Sequence, residues 1–164
     1  MTNERNTLCF SGHRDYVAGS DDGARLAEAV AEAWREGYRT FISGMAPGFD
    51  LAAAEAVMEL KERRPDVRLV AAVPFAGQPR GYSPGDAARY ESLLAGADEV
   101  CVLSPRYFHG CYYRRDEWMV DRSGRIVCWY DPTRRSSGTR YTVRHAVARG
   151  LQVVNLFRAE GVLF

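Results

Sequence analysis

The chain has 164 residues, of which 22 are basic and 21 acidic, with a formal net charge of +1 at pH 7 and a hydrophobic fraction of 46%. This length fits a single domain, which we expect over 1–164, and is sufficient to bury a sizeable core. The balanced charge argues against a protein whose main task is to hold a nucleic-acid backbone, because such domains usually carry a basic excess.

Targeting and metal signals are missing from the sequence. The first residues lack the apolar segment of a signal peptide, and no apolar run approaches the roughly 20 residues of a membrane-spanning helix. The cysteines have no CxxC spacing, and three of the four lie in apolar runs where a thiol behaves as a small core residue. We therefore expect a cytoplasmic protein with reduced cysteines, no metal, no cofactor and no membrane partner.

Short apolar runs alternate with helical patterns along the chain, as in βαβ units. The third strand is almost wholly apolar and is therefore expected near the centre of the sheet. Right-handed crossovers place helices on both faces. The sequence predicts an α/β fold: a three-layer, Rossmann-like domain with a core of about 8–156 and a mostly parallel sheet of five to six strands. The predicted strands are 7–11, 39–42, 67–73, 99–103, 125–130 and 151–156, separated by helices that end near Gly37, Arg63, Ala95, Val120 and Arg149.

Ligands of such sheets bind outside the carboxyl ends of the strands, so the residues after each strand are the first candidates. Gly12, His13 and Arg14 follow the first strand. The glycine allows close approach of a ligand to the backbone, and the arginine offers a bidentate donor for a phosphate or carboxylate. A plain tight turn with a solvated arginine is the alternative.

The second strand is followed by Ser43 and by two glycines, Gly44 and Gly48, directly before a helix. Free N–H groups at a helix N-terminus attract anions, so this segment is a candidate phosphate cradle. Asp50 either caps the helix or accepts hydrogen bonds from ribose hydroxyls. Glu55 lies one turn further, among alanines, and either faces solvent or faces the site; periodicity does not decide.

Aromatic and polar groups also follow the next three strands. Phe75 and Gln78 follow the third strand, and Tyr107 follows the fourth. An aromatic ring at a strand end suits stacking on a base, although Phe75 is equally compatible with the core. Asp131 follows the fifth strand as an acidic turn.

A second glycine-hydroxyl turn precedes the last helix. Gly138 and Thr139 stand at its start, with Arg134, Arg135 and Arg140 nearby. Small residues, hydroxyl donors and a positive helix end form the chemistry of an anion pocket, while simple capping is the alternative.

Taken together, these segments resemble the YpsA-type branch of the SLOG superfamily, which includes the DNA-processing protein DprA and the LONELY GUY phosphoribohydrolases. The resemblance implies a Rossmann-like fold, a pocket for nucleotide-derived ligands, and a bacterial or phage origin. It is carried by Ser11-Gly12-His13-Arg14, Ser43-Gly44-x3-Gly48-x-Asp50-x4-Glu55, Pro74-x3-Gln78, Arg115-x3-Met119-Val120-Asp121, Tyr130-Asp131 and Gly138-Thr139-x-Tyr141-Thr142-x3-Ala146.

Three functions follow as hypotheses. The first is binding or sensing of a phosphate-bearing nucleotide derivative such as ADP-ribose or a nucleotide sugar, by a protein that is expected to be a homodimer because relatives often are. Thr142 favours it, since the resembling phosphoribohydrolases place a glutamate at that position. The second is an N-glycosidase-type hydrolase, whose catalytic carboxylates come from Glu55, Asp50 and Asp131 while Arg14 and Arg115 hold phosphate. The third and weakest is DprA-like binding of single-stranded DNA by a basic patch of Arg134, Arg135, Arg140 and Arg144.

Overall fold

Strands and helices alternate through the residues described by the computed structural model, which are 6–17, 19–135 and 137–159. The predicted alternation and the α/β class are confirmed. The elements are β1 (Thr7–Gly12), α1 (Ser20–Arg35), β2 (Thr40–Ser43), α2 (Phe49–Arg63), β3 (Arg68–Val73), α3 (Pro84–Gly96), β4 (Glu99–Val102), α4 (Cys111–Asp121), β5 (Arg125–Trp129), α5 (Gly138–Ala148) and β6 (Gln152–Asn155).

The strands form one six-stranded sheet in the order β4-β3-β2-β1-β5-β6, and all five pairings are parallel. The apolar strand β3 is an interior strand, while β2 and β1 occupy the middle of the sheet. The chain first adds strands on one side of β1 and then returns to place β5 on its other side. The connections after β1 and β5 therefore leave in different directions, which opens a crevice at their carboxyl ends.

Helices cover both faces of the sheet, as the sequence predicted. On one face, side chains such as Phe10 and Phe41 pack with residues of α1, α2 and α3. On the other face, Cys9 and Ile42 pack with Met119 and other residues of α4 and α5. This arrangement gives the Rossmann-like, three-layer domain. Within the described residues, no helix has both the length and the apolar character needed to cross a bilayer.

The β1–α1 and β2–α2 loops touch each other through two glycines. Gly48 has φ 80° and ψ −121°, and a Cβ added there would lie 2.3 Å from the carbonyl oxygen of Arg14. A Cβ on Gly12 would lie 2.4 Å from the side chain of Phe49. The Phe49 N–H also donates to the carbonyl oxygen of His13 at 3.3 Å. These contacts fix the loop that carries Arg14 against the start of α2.

The substitution Gly48→Ala is expected to lower the free energy of unfolding by about 3 kcal/mol, because backbone strain and a steric clash each contribute roughly 1–3 kcal/mol. Urea denaturation measures this loss. Gly81→Ala is the matched control, since Gly81 also has a positive φ, 88°, but has no atom within 4 Å of an added Cβ. It should cost only about 1 kcal/mol, the strain alone. Equal losses in the two variants would contradict the contact between the loops.

Candidate functional site

A cleft of about 600 Å³ lies at the carboxyl ends of β1 and β5, in the crevice that the strand order creates. Its volume is within the range of roughly 300–1,000 Å³ typical of small-molecule sites. Its walls come from the β1–α1 loop, the start of α2, the β4–α4 connection, the first two turns of α4 and the N-terminus of α5. We call it the central cleft.

Many of the residues singled out in the sequence line the central cleft, although they are far apart along the chain. The structure brings together Gly12, His13, Arg14, Asp50, Tyr107, Arg115, Gly138 and Thr139. Other candidates do not line it, namely Ser43, Gly44, Gly48, Phe75, Gln78, Thr142, Glu55 and Asp131. Ligand contact by the first group stays a prediction.

Several of the second group shape the β2–α2 loop. The carbonyl oxygen of Gly44 accepts hydrogen bonds from Gln78 Nε2 at 2.7 Å and from Arg115 Nη1 at 2.6 Å. Ser43 Oγ donates to the carbonyl oxygen of Asp50 at 2.9 Å and accepts from the N–H of Met45 at 3.1 Å. These bonds hold buried Met45 at φ 64°, a left-handed conformation that is unusual for a residue other than glycine.

Gly44 gives room to a protein side chain. A Cβ at this position would lie 2.7 Å from the guanidinium of Arg115. The sequence interpretation assigned this glycine to a ligand cradle, but the space beside it is taken by the arginine. Ser43, Gly44 and Gln78 therefore position the wall of the central cleft and do not line it.

A buried charge cluster forms the floor of the central cleft. Arg115 is 4% exposed, and its Nε donates to Asp116 Oδ1 at 2.7 Å. Burial disfavours its charge, but the carboxylates of Asp116 and Asp50 outweigh burial and raise the pKa of Arg115. The guanidinium is thus a permanent cation with two acidic neighbours.

Asp50 differs from Asp116 in that no described residue forms a direct ion pair with it. It is 5% exposed, and its Oδ1 has no hydrogen-bond partner among the described residues. Burial raises the pKa of Asp50 to about 7, with Arg115 opposing and Asp116 adding to the rise. The central cleft therefore contains a carboxyl group that exchanges its proton near neutrality.

His13 is buried at the same edge and is held as the neutral ring. Its Nε2 accepts a hydrogen bond from the N–H of Asp131 at 2.9 Å, which assigns the proton to Nδ1. Burial, followed by the nearby charge of Arg134, lowers the pKa of His13. The ring also packs edge-on against Trp129. His13 thus ties β1 to the turn after β5.

Hydrogen-bond donors of the kind that suit an anion lie around the opening of the central cleft. The first turn of α5 contains Gly138 and Thr139, and the helix is capped by Ser137, whose Oγ accepts from the N–H of Arg140 at 3.0 Å. Arg14 is exposed and lies over the ring of Tyr112 at 5.6 Å, without a carboxylate partner among the described residues. A helix N-terminus and an available guanidinium together favour a phosphate.

Three of the other predicted site residues, Glu55, Asp131 and Thr142, have partners within the chain. Glu55 lies on an exposed part of α2, outside the central cleft, and its carboxylate pairs with Arg89. Asp131 closes a turn by accepting hydrogen bonds from the hydroxyl of Thr133 at 2.7 Å and from its N–H at 2.9 Å. Thr142 is buried, and its hydroxyl donates to the carbonyl oxygen of Gly138 at 2.9 Å. None of these three side chains lines the central cleft, and their roles in ligand binding or catalysis stay predictions.

Phe75 also has a supporting place. Its ring packs edge-on against Tyr107 at 5.5 Å and Tyr112 at 6.0 Å. It does not line the central cleft itself but contacts two rings that do.

Sequence reasoning missed several residues of the central cleft, of which Asp116 is the most important. The missed residues include Asp15, His109, Tyr112, Tyr113 and Asp116. A signal for Asp116 was available, because Met119 and Val120 follow it at i+3 and i+4 and are both buried. Its place on the apolar face of α4 indicates a carboxylate that must be buried and paired.

Comparison with known proteins identifies the family of this chain. The family model described as the YspA SLOG family, named YpsA, matches residues 24–153. The chain belongs to this SLOG family. It is 31% identical to the UPF0398 protein YpsA of Bacillus subtilis over 92 residues, which cover 55% of this chain and 51% of that protein. It thus spans about half the length of YpsA.

A second relative is matched over more of its length. The chain is 32% identical to the uncharacterized SPbeta prophage-derived protein YoqJ of Bacillus subtilis over 124 residues, covering 68% of this chain and 71% of YoqJ.

Two solved structures share the fold of this SLOG chain. DNA processing protein A from Helicobacter pylori, described for its single-stranded DNA binding mode, superposes with a TM-score of 0.62 at 16% identity, covering 91% of this chain and 64% of that one. The protein TM1055 superposes with a TM-score of 0.57 at 17% identity, covering 90% and 72% of the two chains. At these identities the likeness concerns the fold alone.

Proposed function

We propose that the central cleft binds a small phosphate-bearing nucleotide derivative, such as ADP-ribose or a nucleotide sugar. The observation that carries this proposal is the meeting of Arg14, Arg115 and the N-terminal turn of α5 at one cleft of about 600 Å³. Arginine forks and free helix N–H groups are the donors that phosphates prefer. The sensing role, the homodimer, the cytoplasmic location and the bacterial or phage origin stay predictions.

Within the central cleft the proposed ligand would be divided between two environments. The phosphate fits the side formed by Arg14, Gly138 and Thr139, where donors predominate. The aromatic side chains Tyr107 and Tyr112 form an adjacent wall that suits the face of a base or sugar. A mixture of ring surfaces and a few convergent polar groups is typical of ligand sites.

An N-glycosidase-type hydrolase is the second candidate, and the buried carboxyl group of Asp50 favours it. A carboxyl group whose pKa is raised to about 7 can serve as a general acid or base near neutrality. Asp116 is the second carboxylate of the central cleft. In this form the hydrolase hypothesis no longer depends on Glu55.

Binding is tested by calorimetric titration with ADP-ribose, UDP-glucose and AMP, while release of free sugar and base is followed in parallel. Arg14→Ala is expected to weaken binding by about 10- to 100-fold, because one charge-assisted contact is lost. Glu55→Gln should leave binding unchanged, since that side chain pairs with Arg89 outside the central cleft.

The outcomes separate the candidates. Binding without release of sugar or base supports a binding protein. Turnover that is lost in Asp50→Asn and kept in Glu55→Gln supports the hydrolase. Absence of binding by all three nucleotides, or binding unaffected by Arg14→Ala, would overturn the proposed site.

A further inference from the structure

A buried carboxylate oxygen of Asp50 is the feature of the central cleft that the proposed function does not yet use. Asp50 lies in the first turn of α2 and lines the central cleft, and its Oδ1 is buried without a hydrogen-bond partner among the described residues. Leaving a buried polar atom unpaired is costly, so such an atom in a native cleft indicates a partner supplied from outside the chain.

No arginine or lysine among the described residues forms an ion pair with Asp50, although Arg115 and Arg14 lie close enough to act on its charge. Arg115 directs Nε to Asp116 at 2.7 Å and Nη1 to the carbonyl oxygen of Gly44 at 2.6 Å. Besides burial, four neighbouring groups shift the pKa of Asp50, namely Arg115 and Asp116 of α4, the N–H of Ala46, and Arg14 in the β1–α1 loop. Asp50 in turn adds to the rise that burial causes in the pKa of Tyr82 after β3 and of Cys9 in β1.

A negatively charged ligand changes this balance. A phosphate bound near Arg14 and the α5 N-terminus adds negative charge close to a carboxyl group that burial already holds near pKa 7. The added charge disfavours the carboxylate and favours the neutral acid. The neutral acid has an O–H, which gives Oδ1 the donor that a ligand oxygen can accept.

We infer that an anionic ligand binds in the central cleft together with one proton, which Asp50 takes up and donates from Oδ1 in a hydrogen bond to a ligand oxygen. The proton comes from the buffer, and no covalent bond of the ligand changes. This inference rests on the proposed function, because it needs an anionic ligand in the central cleft.

The experiment is calorimetric titration of the whole chain with ADP-ribose, whose pyrophosphate does not titrate near neutrality, in two buffers of different ionisation enthalpy. At about pH 8 we expect uptake of close to one proton per bound ligand, and an affinity that falls by up to about tenfold per pH unit above the pKa of free Asp50.

Two variants of similar size separate donation from simple charge repulsion. Asp50→Asn keeps a donor and does not titrate, so it should bind without proton uptake and with an affinity independent of pH. Asp50→Leu removes both the charge and the donor, and should bind at least about tenfold more weakly than Asp50→Asn at every pH. His109→Gln is the control for the exposed cleft histidine and should still take up the proton. Thermal unfolding shows that each variant is folded.

Proton uptake that persists in Asp50→Asn, or pH-independent binding by the unmodified chain, would overturn this inference alone. Equal affinities of Asp50→Leu and Asp50→Asn would overturn the hydrogen bond. Absence of binding at acidic as well as alkaline pH would instead overturn the proposed function and, with it, this inference.

Discussion

Arg115→Met is expected to lower the free energy of unfolding by about 3–5 kcal/mol, the usual result of removing one partner of a buried ion pair. The substitution leaves the carboxylate of Asp116, which is 7% exposed, without its cation. It also removes one of the two donors to the carbonyl oxygen of Gly44, which keeps only Gln78. Urea denaturation near neutral pH measures the change.

Arg114→Met is the matched control, because Arg114 is the neighbouring residue of α4 but is exposed. Its guanidinium lies over the ring of Phe108 at 5.9 Å, and its loss should change the free energy of unfolding by no more than about 0.5 kcal/mol. Arg115→Lys should fall between the two, since an ammonium does not reproduce the fork that reaches Asp116 and Gly44 together. A loss below about 1 kcal/mol in Arg115→Met would show that water or another group readily replaces the arginine.

The three-layer architecture could be predicted from the sequence because each strand and helix has its own pattern of apolar residues and its own end signals. β3 is a short apolar run, and α2 begins after a glycine and ends shortly before Pro65. The strand order was harder to predict, because local sequence patterns do not specify which strand β5 pairs with. Its consecutive residues Ile126 and Val127 are buried on opposite faces of the sheet, which is compatible with any interior position.

The sequence indicated where glycine matters, but it did not show which structural contact requires a glycine at each position. Gly12 was interpreted as allowing a ligand close to the backbone, and Gly44 and Gly48 as parts of a phosphate cradle. In the fold, their missing Cβ atoms make room for Phe49, Arg115 and the backbone of Arg14. A sequence shows that a residue must be small or have a positive φ, whereas only the fold shows which atom approaches it.

The direction of a helical carboxylate depends on how much of its helix is buried. α2 has buried or half-buried small residues on most sides, so the alanines around Glu55 did not reveal that this side chain faces outward. α4 has a clear polar side, so the spacing of Asp116 to Met119 and Val120 was sufficient. The central cleft was thus partly predictable from the sequence. Asp116, whose carboxylate forms the ion pair with Arg115, was not considered.

Asp50→Asn is expected to raise the free energy of unfolding at about pH 8, by roughly 2–4 kcal/mol, since each pKa unit corresponds to about 1.4 kcal/mol. The pKa of Asp50 is raised from its ordinary value of 3.8 to about 7 in the folded chain, mainly by burial. As the pH rises between these values, the unfolded chain loses a proton that the folded chain retains. Stability therefore falls across this window and then stays lower above it. Asparagine does not titrate and avoids this penalty.

The pH dependence is the decisive part of the measurement. The advantage of Asp50→Asn should shrink as the pH falls from 7 towards 4, the window given by the two pKa values. Asp131→Asn is the contrasting control, because hydrogen bonds from Thr133 lower the pKa of Asp131, and its carboxylate therefore stabilises the fold above that pKa. A loss of stability in Asp50→Asn at about pH 8 would show that folded Asp50 is a well-paired carboxylate. In that case Asp50 would take up no proton when an anionic ligand binds, and Arg14 and Arg115 alone would have to overcome its repulsion.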